Sequence, residues 1–203
     1  MPLVHSSDIS DLVDETSGKE VVVTPAVVDR FADLTKKYEE FLMDKDTWLK
    51  DHVREIILPC DINIFVQQTR KCEDHKNYEQ NTGLFISQLI KNSYEAGNNE
   101  FELDVGSLKP INGLASNVSG REKQKVRIVI KGKTGDGCGR DVRYSIFTIE
   151  EAGYLCGYGA RNSTFNTHNP EQYERFKKSV HPSKDNKLYL LSPNGSILKG
   201  GPW

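Results

Sequence analysis

The chain has 203 residues, 36% hydrophobic and 28% charged, enough for one domain with a real core or a small domain with an appendage. No run approaches the ~18 consecutive apolar residues of a membrane span, and the start MPLVHSSDISDLVDE has neither the basic nor the apolar region of a signal peptide. The expectation is therefore a cytoplasmic protein with no membrane partner, whose four cysteines are reduced thiols rather than a disulfide scaffold.

Residues 1–20 are rich in Ser, Asp and Glu without a sustained apolar period, which predicts a mobile leader. Thr24-Pro25 then reads as a helix start, with Thr24 as the cap and Pro25 where its missing N–H does no harm. Val27, Phe31, Leu34, Tyr38 and Phe41 follow at three- and four-residue steps and predict one buried helical face. A second helical stretch is expected over 47–58, stopped by Pro59. Residues 60–80 stay open between strand and helix, because Ile62, Ile64 and Val66 alternate while Phe65 and the polar residues after it suit a helix. A further helix is predicted from Thr82 to Ala96, ended by Gly97-Asn98-Asn99.

From Phe101 the character changes. Phe101, Leu103 and Val105 alternate with Glu102 and Asp104, and short strands separated by Gly, Asn, Asp and Pro are expected to the end. Residues 188–191 and 196–198 read as a hairpin about Pro193-Asn194-Gly195. The predicted organisation is a leader over 1–20, a helical segment over 21–98 and a Gly-rich β domain over 99–203.

The net charge of −2 hides a division. Residues 1–58 sum to −6, residues 59–114 to −3 and residues 115–203 to +7. Such asymmetry fits an anionic partner for the basic part or an acidic segment docking on it within the chain.

The strongest pattern is self-similarity between GDGCGRDVRYSIFT (135–148) and GYLCGYGARNSTFN (153–166). Gly135 aligns with Gly153, Cys138 with Cys156, Gly139 with Gly157, Arg143 with Arg161, Ser145 with Ser163 and Phe147 with Phe165, all without a gap. Spaced glycines and alternating residues at this period are what stacked coils of a β-solenoid produce, since equivalent residues lie one strand spacing apart. Two successive antiparallel hairpins made by duplication fit the same period. Residues 126–168 resemble the Gly-rich right-handed β-helix domain found in the large chain of glutamate synthase and in formylmethanofuran dehydrogenase. That resemblance implies a scaffolding role rather than bond making. The predicted fold class is α+β, with N-terminal α-helices packed on a short Gly-rich β-solenoid or antiparallel β domain.

Three chemistries suggest themselves. Arg121, Lys123, Lys125, Arg127, Lys131 and Lys133 all occupy odd positions while Val126, Ile128 and Ile130 occupy even ones, so a strand here would carry its positive charge on one face. That face could track the phosphates of RNA, with Tyr144, Tyr154 and Tyr158 near enough in sequence to stack bases, or could be a solvated, lysine-protected edge. A thiol nucleophile would use Cys138 or Cys156 with His168 as base, but a nucleophile should be unique and these cysteines share one position of the repeat. Cys60, Cys72 and His75 lack paired CxxC spacing, so no metal and no cofactor are expected. Gly135-Asp136-Gly137-Cys138-Gly139 matches neither phosphate-loop nor dinucleotide motifs. Asn117, Asn162 and Asn194 begin glycosylation-like triplets that read as turns. The leading expectation is a non-enzymatic binding or scaffold protein presenting a basic β surface to another protein or an RNA; the alternative is a thiol-dependent enzyme.

Overall fold

The computed structural model describes residues 25–43, 53–180 and 185–202. The predicted leader, the predicted cap Thr24 and the part of the second helical stretch up to residue 52 lie outside them. The architecture is α+β: helices followed by a six-stranded, mostly parallel sheet in the order β1-β2-β3-β4-β5-β6. No helix among the described residues is long and apolar enough to cross a membrane.

Helix α1 (Pro25–Met43) buries Phe31, Leu34, Tyr38 and Phe41 of the face its periodicity predicts, with Leu42 beside them; the side chain of Val27 lies outside the described residues. Residues 53–58 form no helix. Pro59 instead opens α2 (Pro59–Gln68), followed by a 3-10 turn at Thr69–Cys72. A proline at the first helical position sacrifices no hydrogen bond, so Pro59 starts a helix as well as it could end one. The alternation of Ile62, Ile64 and Val66 is incidental, because the buried set is Ile62, Phe65, Val66 and Thr69, at helical steps. Helix α3 (Tyr78–Glu95) begins earlier than its apolar stripe suggests. The three helices meet in an aromatic cluster: Tyr38 lies 5.6 Å from Phe65 and 5.2 Å from Phe85, and Phe41 lies 5.9 Å from Phe85. The Tyr38 hydroxyl is satisfied by Thr82 at 2.6 Å, as a buried hydroxyl requires.

The strands are β1 (Glu100–Asp104), β2 (Val126–Lys133), β3 (Ser145–Glu151), β4 (Thr164–Thr167), β5 (Lys187–Leu191) and β6 (Ile197–Pro202). The first five pair in parallel, and β5 with β6 is the predicted antiparallel hairpin. The segments 135–148 and 153–166 therefore do not form two antiparallel hairpins: β3 and β4 run parallel, with Phe147 opposite Phe165. A helix α4 (Pro170–Ser179) interrupts the all-strand run expected there. Its cap Asn169 accepts N–H bonds from Glu171 at 2.9 Å and Gln172 at 3.3 Å.

Parallel strands need crossovers, and those entering β2, β3 and β4 are glycine-rich loops rather than helices. These loops hydrogen-bond to one another. Gly113 donates to the Asp136 carbonyl (2.7 Å) as Gly137 donates to Tyr154 (2.8 Å); Gly139 donates to Leu114 as Gly157 donates to Cys138 (both 2.9 Å). Left-handed backbone recurs at matching places: Gly113, Gly137 and Leu155; Ala115, Gly139 and Gly157; Asn117, Asp141 and Gly159. Leu114, Cys138 and Cys156 consequently occupy equivalent buried positions, as do Val118, Val142 and Ala160. A turn in which Arg121 and Gln124 exchange backbone bonds of 3.0 Å lengthens the first crossover and takes it out of the frame the other two share.

The helices cover the stack. Asn112 donates its N–H to the Glu79 carbonyl at 2.8 Å, and Ser87 donates to Gly113 at 3.2 Å, joining α3 to the first crossover. Helix α2 lies along β1, where Asn63 accepts the Asp104 N–H at 2.8 Å, so that edge is protected. Helix α4 sets Phe176 6.2 Å from Phe165 and donates Ser179 Oγ to the Cys156 carbonyl at 3.0 Å. A single apolar core runs from Phe31 to Leu188.

Candidate nucleic-acid interface

Strand β2 alternates as the sequence predicts, with Val126, Ile128 and Ile130 in the core and Arg127, Lys131 and Lys133 outside. The neighbouring strands answer that charge. Arg127 lies 3.7 Å from Glu100, Lys131 2.6 Å from Glu102, and Lys133 2.8 Å from Glu151. Three of the six predicted contact residues are thus engaged by carboxylates, in exposed pairs of the kind worth about 0–1 kcal/mol. Arg121, Lys123 and Lys125 stand apart from them, in and beside the turn that precedes the strand. The alternating acids of β1 are plain in the sequence, but only the register shows that they face β2.

A second basic feature lies on the crossovers. Ser119 bridges Arg143 and Arg143 bridges Arg161, each in parallel, placing the two arginines on adjacent layers. Backbones paired this way lie about 4.8 Å apart. Both side chains are exposed, and neither has a carboxylate partner among the described residues. The bridge fixes the two arginine backbones side by side, and two exposed cations anchored there can both reach one extended anion. The sequence displays both arginines as repeat identities; their adjacency is a consequence of register.

Depressions flank this pair. One is lined by Lys91, Tyr94, Glu95, Ser119 and Arg121, so it begins where the ladder begins. The other, about 520 Å³, is lined by Asp141, Tyr158, Arg161, Asn162 and Asp185. Beside it the last crossover exposes Tyr154 (81%), Leu155 (51%) and Tyr158 (45%). Leu155 holds a left-handed φ of 56°, where the two preceding crossovers place glycine. Arg140 reaches across this loop, 3.1 Å from the Asp141 carboxylate and 6.0 Å from the centre of the Tyr158 ring.

The sulfur chemistry is placed elsewhere. Cys138 and Cys156 are fully buried. Burial pushes the Cys156 thiol well up, and its hydrogen bond with Cys138 acts in the same direction, which suppresses the thiolate that a nucleophile requires. His168 is exposed, its Nδ1 2.9 Å from the Ser192 carbonyl oxygen. Cys60 is exposed, and the half-buried Cys72 has its thiol raised by burial and by Glu39. Among the described residues no group of three His, Cys, Asp or Glu side chains gathers to hold a metal ion. Compared with known proteins, the chain matches no family model, no curated protein and no solved structure.

Proposed function

We propose that the chain is a non-enzymatic binding protein, built as a short β-solenoid capped by helices, that presents the basic face of its crossovers to RNA. The observation that carries this reading is the Arg143–Arg161 ladder, bridged through the backbone, exposed and without a carboxylate partner among the described residues. Arg121, Lys123 and Lys125 extend the same positive region, and the exposed Tyr154 and Tyr158 offer π-faces on which bases stack. The hydrogen bonds between successive crossovers support the solenoid form, as does the resemblance of residues 126–168 to Gly-rich β-helix scaffolding domains. Four unpaired cysteines suit a reducing compartment, the cytosol. Exposed Leu155 favours a second reading, in which the partner is a protein.

Titration of single-stranded RNA at a series of ionic strengths tests the first reading. The wild type should bind with an affinity that falls as salt rises, and charge reversal at Arg143 and Arg161 should abolish it. Absence of binding at low ionic strength would overturn the RNA reading.

A further inference from the structure

The depression beside Tyr158 is lined by two carboxylates where the one beside Tyr94 is lined by one, Glu95. Its lining combines an aromatic ring, a guanidinium, a side-chain amide and two carboxylates, those of Asp141 and Asp185. Carboxylates oppose the attraction of a phosphate chain, so a surface that only gathers phosphates has no use for them. They do serve to accept hydrogen bonds from the amino and imino groups of a base edge.

The position of Asp141 is held by its surroundings. Gly159 has a φ of +74°, and a Cβ there would lie 2.1 Å from Asp141 Oδ1, so the carboxylate occupies space that a side chain at 159 would take. Arg140 pairs with the same carboxylate at 3.1 Å while lying 6.0 Å from the Tyr158 ring centre, so one guanidinium lies beside both the ring and the acid. Arg161 belongs both to this groove and to the ladder with Arg143, and links a base site to a phosphate site. A volume of about 520 Å³ lies within the ~300–1,000 Å³ range of small-ligand pockets.

We infer that this groove takes one guanine nucleotide of a single-stranded RNA, with the base against Tyr158, its Watson–Crick edge toward Asp185 and Asp141, and its phosphate on Arg161 and Arg143. The inference rests on the RNA reading above and narrows it. Guanine alone among the four bases presents two adjacent donors, N1–H and N2–H, on that edge, and a carboxylate's two oxygens accept both. Uracil offers one N–H between two carbonyl oxygens, which would face the carboxylates unfavourably. In a duplex the edge is consumed by pairing, so the ligand is single-stranded.

Fluorescence anisotropy with an oligouridine octamer, and with the same octamer carrying one central guanosine, tests this. The guanosine should tighten binding by about tenfold. Asp185→Asn should remove that gain, while oligouridine, whose phosphates and carbonyls the carboxylate opposes, should bind as tightly as before or tighter. Thermal denaturation of the variant verifies its fold. Equal affinity of the wild type for the two octamers, or a preference that survives Asp185→Asn, would overturn the guanine site and leave the RNA reading standing. No binding of either octamer would overturn both and leave the Tyr154–Tyr158 surface to a protein partner.

Discussion

Phe147 and Phe165 stack with ring centres 5.2 Å apart and planes 8° from parallel, on neighbouring strands whose register places them directly opposite one another. Residues at one position of an 18-residue pattern thereby become a packed pair in the core, where both rings are fully buried. Phe176 of α4 packs against Phe165 at 6.2 Å and joins the pair to the helix beside it.

Phe165→Ala would leave a cavity touching two elements at once and should destabilise the protein by about 3–5 kcal/mol. Gly157→Ala tests the same contact from the crossover side. The added Cβ would lie 2.8 Å from Phe165 Cζ and 3.0 Å from Val180 Cγ2, at a φ of +69°. Gly195 has a φ of +82° with nothing within 4 Å, so Gly195→Ala carries the backbone strain without the collision. Urea denaturation should show a loss of about 1 kcal/mol for Gly195→Ala and distinctly more for Gly157→Ala. Equal losses would mean that the crossover can shift away from Phe165.

Local signals in the sequence reach as far as single elements. The buried face of α1, the alternation of β2 and the β5–β6 hairpin depend on neighbours within a few residues, and the chain displays them directly. Pro59 is ambiguous because a proline can end one helix or begin the next, and Asn169-Pro170-Glu171 carries a helix start that the surrounding strand signals obscure. The two later crossovers are visible as a repeat because no insertion separates them. The turn at Arg121–Gln124 hides the kinship of the first, which only the hydrogen bonds of Gly113 and Gly139 reveal. The basic stripe is legible as a strand face but not as a set of ion pairs, since Glu100, Glu102 and Glu151 reach it from other strands.

The buried Cys156 thiol and the buried hydroxyls of Tyr38 and Tyr78 weaken stability at alkaline pH. Burial raises Cys156 above the ordinary 9.0, raises Tyr38 far above 10.0 and pushes Tyr78 up to about 12. Each group releases its proton more readily in the unfolded chain, so its contribution is complete below the unfolded value and declines as pH rises toward the folded one. Urea midpoints should therefore begin to fall above about pH 9 and drop further between about pH 10 and 12. A midpoint that stays level to about pH 11 would contradict the burial of these groups.

Thiol titration at neutral pH separates the four cysteines. In the folded protein an aromatic disulfide reagent should modify exposed Cys60 readily and half-buried Cys72 slowly, while Cys138 and Cys156 react only after denaturation. Rapid reaction of either buried thiol would revive a nucleophilic role.

Asn169 supports α4 through the two bonds it accepts from Glu171 and Gln172, and α4 in turn covers Phe165 with Phe176. Asn169→Ala should cost about 1 kcal/mol, as the loss of a helix cap does. Asn169→Asp keeps the acceptor and adds a charge favourable to the helix N-terminus, so it should restore the stability. Chemical denaturation of the two variants compares them directly; a similar loss in both would assign the cost to something other than the cap.

The two basic faces respond differently to the same substitution. Lys131 and Lys133 sit 2.6 Å and 2.8 Å from Glu102 and Glu151, so each is already neutralised by a carboxylate. Removing either leaves an acid exposed on the sheet, costs at most about 1 kcal/mol of stability and should change the slope of log affinity against log salt little. Arg143 and Arg161 are bridged through their backbones, are exposed and have no carboxylate partner among the described residues, so alanine at either removes no ion pair and should leave stability unchanged. Each should lower the slope of log affinity against log salt by about 0.7, the share of one phosphate contact on a single strand. Four single alanine variants, titrated with RNA across a salt series, decide between the faces. If Lys131→Ala and Lys133→Ala flatten the slope while Arg143→Ala and Arg161→Ala do not, the RNA lies on the sheet face and the ladder is merely solvated.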